Sequence, residues 1–148
     1  MDGISRRQVI AGTAGALAIA GLGIAPARAN NAPDLIKAFT GGKAATEAKV
    51  KLDLPEIAEN GNTVPMTVTV ESPMTEASHV TEVLVLADGN PNAGVATFHF
   101  SPASGVAEAN TRIRLAASQN IIAVAKMNDG SFVMASKQVK VTIGGCGG

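Results

Sequence analysis

The 148-residue chain has one cysteine, Cys146, set in the run Gly144-Gly145-Cys146-Gly147-Gly148. The thiol is the only side chain in that run that can do chemistry, as a nucleophile or as a point of covalent attachment. A free cysteine usually behaves as a small buried hydrophobe. Here its neighbours carry no apolar surface to bury it with, and glycine loses the most backbone freedom on ordering. The spacing therefore predicts a flexible arm made by Gly144, Gly145, Gly147 and Gly148 around the thiol. From Gly144 to Cys146 such an arm spans roughly 10 Å. A thin arm suits delivery of a group into another protein's active site. It suits catalysis poorly, because catalysis needs a fixed constellation. No histidine is near in sequence, and the nearest preceding cation is Lys140. The thiol is thus expected to be mostly protonated at neutral pH, and to need activation by the protein that loads it.

The other chemistry-bearing residues point to less. His79 and His99 are the only histidines; together with a mobile cysteine they supply too few ligands for a metal site, and no metal is expected. Arg112 and Arg114 fall on one face of a strand and could hold an anion, although a solvated face or an interface is the commoner use of such a pair. There is no Gly-x-Ser-x-Gly motif to mark a nucleophile, no Cys-x-x-Cys, and no Cys-x-x-Cys-His for covalent haem. No cofactor is expected. Acidic and basic residues balance at 12 each, without a basic cluster, which argues against nucleic acid as a partner.

Residues 1–29 read as an export signal. Arg6-Arg7 in Ser5-Arg6-Arg7-Gln8-Val9-Ile10 resembles a twin-arginine motif, although it lacks the usual phenylalanine and lysine that follow. A Gly/Ala-rich apolar run to Ala25 and the small-x-small site Ala27-Arg28-Ala29 complete it. The run is too short to span a bilayer comfortably, which needs about 20 apolar residues. Export by this or the general route places the protein in the periplasm. Residues 30–46 form a leader with a short helix from Pro33 to Phe39, stopped by Gly41-Gly42 and expected to pack on the edge of the domain.

From Glu47 the period becomes two. Alternation or apolar runs between turn signals mark strands around Val50–Leu54, Val64–Val70, Val80–Ala87, Val95–Phe100, Val106–Leu115, Ile121–Met127 and Phe132–Ile143. Between them lie turn signals: Pro55 through Asn62 with Asn60-Gly61, Ser72-Pro73-Met74, Asp88-Gly89-Asn90-Pro91-Asn92, and Asn128-Asp129-Gly130. Val83-Leu84-Val85-Leu86 is apolar on both faces and so belongs in the middle of a sheet. About seven strands in this rhythm predict an all-β, immunoglobulin-like β-sandwich over residues 47–143, with the cysteine arm at 144–148.

The stretch from Leu54 through Pro65, together with Ser72-Pro73-Met74, Asn90-Pro91-Asn92, Ala96-Thr97-Phe98, Arg112 through Ala116 and the Gly-Gly-Cys-Gly-Gly run, resembles the SoxY family of the periplasmic thiosulfate-oxidising system. The resemblance covers almost the whole chain after the leader. It implies a sulfur carrier that is not itself an enzyme. Cys146 would hold thiosulfate-derived sulfur as an S-thiosulfonate and then a persulfide. It further implies a non-covalent partner, SoxZ, and transient partners: the haem enzyme SoxAX for loading, the hydrolase SoxB for releasing sulfate, and SoxCD for oxidising the remaining sulfane sulfur. Two rivals stand beside it: a structural or adhesive module that uses Cys146 for an intermolecular disulfide, and a thiol-dependent sulfur transferase acting alone.

Overall fold

The computed structural model describes residues 31–145; Arg6, Arg7, Cys146, Gly147 and Gly148 lie outside the described residues. Helix α1 (Ala32–Thr40) starts with Pro33 in its first turn and ends at Gly41, whose left-handed conformation (φ 64°) favours a residue without Cβ. Nine strands follow: β1 (Ala45–Glu47), β2 (Val50–Asp53), β3 (Ile57–Asn60), β4 (Val64–Val70), β5 (Val80–Ala87), β6 (Gly94–His99), β7 (Ala107–Ile113), β8 (Gln119–Met127) and β9 (Phe132–Ile143). The larger sheet runs β1-β9-β8-β5-β6, with β3 also paired to β9; the smaller runs β2-β4-β7.

The two sheets share one core. Alternate residues of β4 and β7, including Val64, Met66, Val68 and Ile113, pack with Val83, Val85, Ile121 and Val139 of the larger sheet. Every one of these is at most 4% exposed. The core is mainly aliphatic in a chain without Trp or Tyr, with Phe132 also buried. Phe98 and Phe100 pack against its margin, while His99 between them points outward and lies 3.4 Å from Glu82.

The architecture is the expected all-β one, and the structure corrects three details. Among the described residues there are nine strands rather than seven. The two additional ones, β1 and β3, are short edge strands that run parallel to β9. The β3 segment was expected to be part of a turn. It has no alternation to announce it, with Ile57 exposed and only Ala58 buried, and β9 supplies the ladder it pairs with. Finally, α1 sits on a face of the larger sheet and not on the domain's edge. Leu84, Leu86 and Ile122 make that outer face apolar, and Ala32, Leu35 and Ile36 cover it. This is why β5, flanked by β8 and β6, is apolar on both sides. Phe39 adds an edge-to-face contact with Phe132, with ring centroids 5.8 Å apart.

The β8–β9 turn carries one perturbed carboxyl. The Ser131 hydroxyl (2.6 Å) and amide (2.9 Å) both donate to Asp129 Oδ1. These bonds hold the Asp129 carboxyl below the ordinary aspartate value, the hydroxyl bond contributing most. A depressed folded-state pKa means that this contribution is present above the unfolded value and fades as pH falls through the folded one. An NMR titration of Asp129 is expected to show a midpoint below that of a free aspartate, and Ser131→Ala is expected to move it back up.

Candidate functional site: the root of the cysteine tail

β9 reaches past its main neighbour. Its pairing with β8 begins at Lys126–Phe132 and ends at Gln119–Val139. Beyond that, β3 takes over on the opposite side, pairing Ile57 with Lys140 and Asn60 with Ile143. On the β8 side the ladder is continued by a side chain, since the Val141 amide donates to Ser118 Oγ at 2.8 Å.

The chain is then held by backbone alone. The Gly61 amide donates to the Ile143 carbonyl (2.7 Å), the Leu115 amide to the Gly61 carbonyl (2.8 Å), and the Gly145 amide to the Leu115 carbonyl (2.8 Å). Gly61 and Gly145 are both buried. The three segments meet closely enough that side chains would not fit. A Cβ on Gly61 would lie 2.2 Å from the Leu115 carbonyl oxygen, and one on Gly144 would lie 2.2 Å from that of Ala116.

The Leu115–Gln119 segment that receives the tail is itself fixed from below. Asn90 is buried, at 4% exposure. Its Nδ2 donates to the Arg114 carbonyl (2.9 Å), and its Oδ1 accepts from the Ala116 amide (2.9 Å) and from Gln119 Nε2 (2.8 Å). Gln119 also donates to the Ala117 carbonyl (2.9 Å) and accepts from the Gly89 amide (2.7 Å). Leu115 itself is fully buried in the core. The tail therefore leaves from a platform anchored at the base by the Asn90–Gln119 pair and by Leu115.

The remaining candidates lie elsewhere in the fold. Arg112 extends from β7 and donates to Thr63 Oγ1 at 3.4 Å. It also lines a shallow depression of about 590 Å³ with Asp53, Pro65 and Asn110, to which no residue of the tail root contributes. The side chain of Arg114 is exposed, and it is its carbonyl that joins the platform. His79 Nδ1 pairs with the Thr75 carbonyl at 2.9 Å and serves the loop before β5. Among the described residues no group of His, Cys, Asp and Glu could hold a metal ion. Also among them, no helix is long and apolar enough to cross a membrane.

Sequence reasoning treated Gly144 and Gly145 as part of the loose arm; the structure gives both a close backbone neighbour. It also read Gly61 and Asn90 only as turn residues. The available signal was that both sit in the stretches that carry the family resemblance.

Residues 36–146 match the family described as sulfur oxidation protein SoxY, a span that runs through the tail root to the cysteine. The chain belongs to the SoxY family. Among solved structures it is similar to the sulfur carrier protein SoxY from Chlorobium limicola f thiosulfatophilum, with 31% identity and a TM-score of 0.61, covering 75% of this chain and 96% of that one. It also shares its fold with superoxide reductases: the neelaredoxin of Ignicoccus hospitalis (19% identity, TM-score 0.57, 64% of this chain and 80% of that one) and the enzyme of Nanoarchaeum equitans (13%, 0.56, 66% and 100%). At such identities the likeness is one of sandwich architecture alone. No curated protein sequence matches the chain significantly. For a SoxY-family chain, the tail root is the part of the fold adjoining the one cysteine.

Proposed function

We propose that this protein is a periplasmic carrier of thiosulfate-derived sulfur, with Cys146 as the attachment point and no turnover of its own. The observation that carries the reading is the family match that extends to Cys146, together with 31% identity to a protein described as a sulfur carrier. In this reading residues 1–29 are the twin-arginine-type leader containing Arg6 and Arg7, residues 30–46 lead into the sandwich of residues 47–143, and residues 144–148 are the carrier tail.

The chemistry belongs to the visitors. Loading joins Cys146 Sγ to the sulfane sulfur of thiosulfate. The new S–S bond costs two electrons and the thiol proton, and the haem enzyme SoxAX would accept the electrons. SoxB would add water across the terminal S–S bond, releasing sulfate and leaving a persulfide on the carrier. SoxCD would oxidise that sulfur where present, and SoxZ would be the standing partner. The carrier's own contribution is to present the thiol. A stiff sandwich ending in a backbone-only segment fits that task, because the segment adds no side chain to obstruct a narrow active site.

The test is mass spectrometry of the tryptic peptide Val141–Gly148 from protein made by cells grown on thiosulfate. Thiosulfonate or persulfide adducts on Cys146, removed by reductant, are expected. A single fixed disulfide to another protein would favour the structural module. Turnover of thiosulfate by the isolated protein would favour the transferase. Free thiol alone would refute the carrier.

A further inference from the structure

We propose that the ring of main-chain bonds joining Ile143, Gly61, Leu115 and Gly145 is a clasp that fixes where the carrier tail starts, so that Gly61, Gly144 and Gly145 are positioning residues for Cys146. The proposal rests on the carrier reading for its purpose and on geometry for its existence.

Glycine is selected in proteins for two different reasons: to adopt conformations closed to other residues, or to let another backbone come close. The chain contains both kinds. Gly41, Gly42, Gly105 and Gly130 have positive φ, and the first three have open space where a Cβ would go. Gly61, Gly144 and Gly145 are the reverse. None has a positive φ, so φ itself does not call for glycine there. All three are instead pressed against backbone: a Cβ on Gly145 would lie 2.8 Å from the Gly61 carbonyl oxygen, and one on Gly61 would lie 2.8 Å from the Gly145 nitrogen. These neighbours are peptide groups and not flexible side-chain ends, so they cannot step aside cheaply. The first glycine pair of the tail is thus explained by close packing, where the sequence suggested mobility.

The clasp changes how the carrier is presented. If the tail began at Ile143, two more residues would add roughly 7 Å to the sweep of the thiol. With Gly145 held, the reach of Cys146 is counted from Gly145 and not from Ile143. The span over which the thiol can range is shortened by that length, and a loading enzyme meets it in a narrower range of positions. Restricting the range raises the fraction of encounters that are productive, the same gain that preorganisation brings to any bound reactant.

Amide hydrogen exchange on the ¹⁵N-labelled protein tests the clasp directly. The Gly145 and Gly61 amides are expected to exchange at least about tenfold more slowly than in a free peptide of the same sequence. Equal rates would overturn the proposal. Gly144→Ala and Gly61→Ala approach the clasp from its two sides, and both are expected to abolish the Gly145 protection. Enzymatic loading of the variants should fall roughly ten- to a hundredfold in kcat/KM, while alkylation of Cys146 by iodoacetamide, which needs no docking, changes less than about twofold. Gly144→Ala is the decisive variant, since it lies outside the strands and leaves the core intact. Unchanged Gly145 protection in it, unchanged loading, or an equal loss of loading and alkylation would each overturn the positioning role. A protected Gly145 amide in a protein that never carries sulfur on Cys146 would refute the carrier reading and leave the clasp standing.

Discussion

Cys146→Ala leaves a folded protein in a reconstituted thiosulfate-oxidising system that no longer turns over above background. The expectation is an all-or-none loss, because a carrier contributes an attachment atom and alanine has none. Removing one member of a catalytic constellation commonly leaves residual rate from the others, but here the intermediate itself cannot form. Stability should change by less than about 0.5 kcal/mol, since the buried residues of the main core cluster run from Leu52 to Val139. The measurement pairs a urea melt with sulfate release by the full set of partners. Sulfate production by the alanine variant at more than a few per cent of the wild-type rate would exclude Cys146 as the carrier. Serine at the same position is expected to behave as alanine does, because an alkoxide cannot form the required S–S bond.

Asn90→Ala is expected to have the largest effect on stability, about 3 kcal/mol. The side chain is buried and serves three partners at once, the Arg114 carbonyl, the Ala116 amide and Gln119 Nε2. Alanine leaves these groups short of bonds in a place where water has little access, and each unsatisfied buried group costs about 1–3 kcal/mol. The loss concentrates in the Leu115–Gln119 segment, so the tail should suffer along with the fold. Equilibrium unfolding gives the stability, and exchange at the Gly145 amide gives the state of the tail root. Asn90→Asp separates shape from bonding. It keeps the acceptor for the Ala116 amide but turns a donor into a carboxylate facing the Arg114 carbonyl. Burial beside a carbonyl raises the pKa of such a group, so this variant should regain stability as pH falls and its carboxyl takes up the proton. An Asn90→Ala protein within about 0.5 kcal/mol of wild type would show that the platform is held by other means.

Both expectations concern residues whose type was plain in the sequence, but only one had a legible role. Cys146 stands out because nothing around it can bury it. Asn90 lies in Asp88-Gly89-Asn90-Pro91-Asn92, where every residue type is a common turn former, and no local pattern distinguishes the one whose side chain turns inward. The same holds for Gly61. Asn60-Gly61 reads as a turn, and its second function appears only when β9 and the Leu115 segment arrive on either side of it. The strands divide in a similar way. β4, β5 and β9 were legible to the residue, because alternation marks β4 and the end of β9, and an apolar run bounded by turn signals marks β5. β1 and β3 were not, because a short edge strand depends on the ladder offered by its neighbour more than on its own side chains.

By itself, then, the sequence determined the all-β class, the central place of β5 and the aliphatic core, and it singled out the thiol as the candidate for chemistry. Each follows from periodicity or from a residue type that has few alternative uses. The tertiary structure decided that α1 caps a sheet face, that β9 is flanked by two parallel edge strands, and that Gly61, Asn90 and Leu115 converge under the tail. Those outcomes rest on main-chain hydrogen bonds and on backbone-to-backbone distances between segments far apart in the chain. Every residue but proline carries the same amide and carbonyl, so the sequence does not show which of them will meet. A glycine that is mobile and a glycine that is clasped are written with the same letter, and only the atoms around it separate the two.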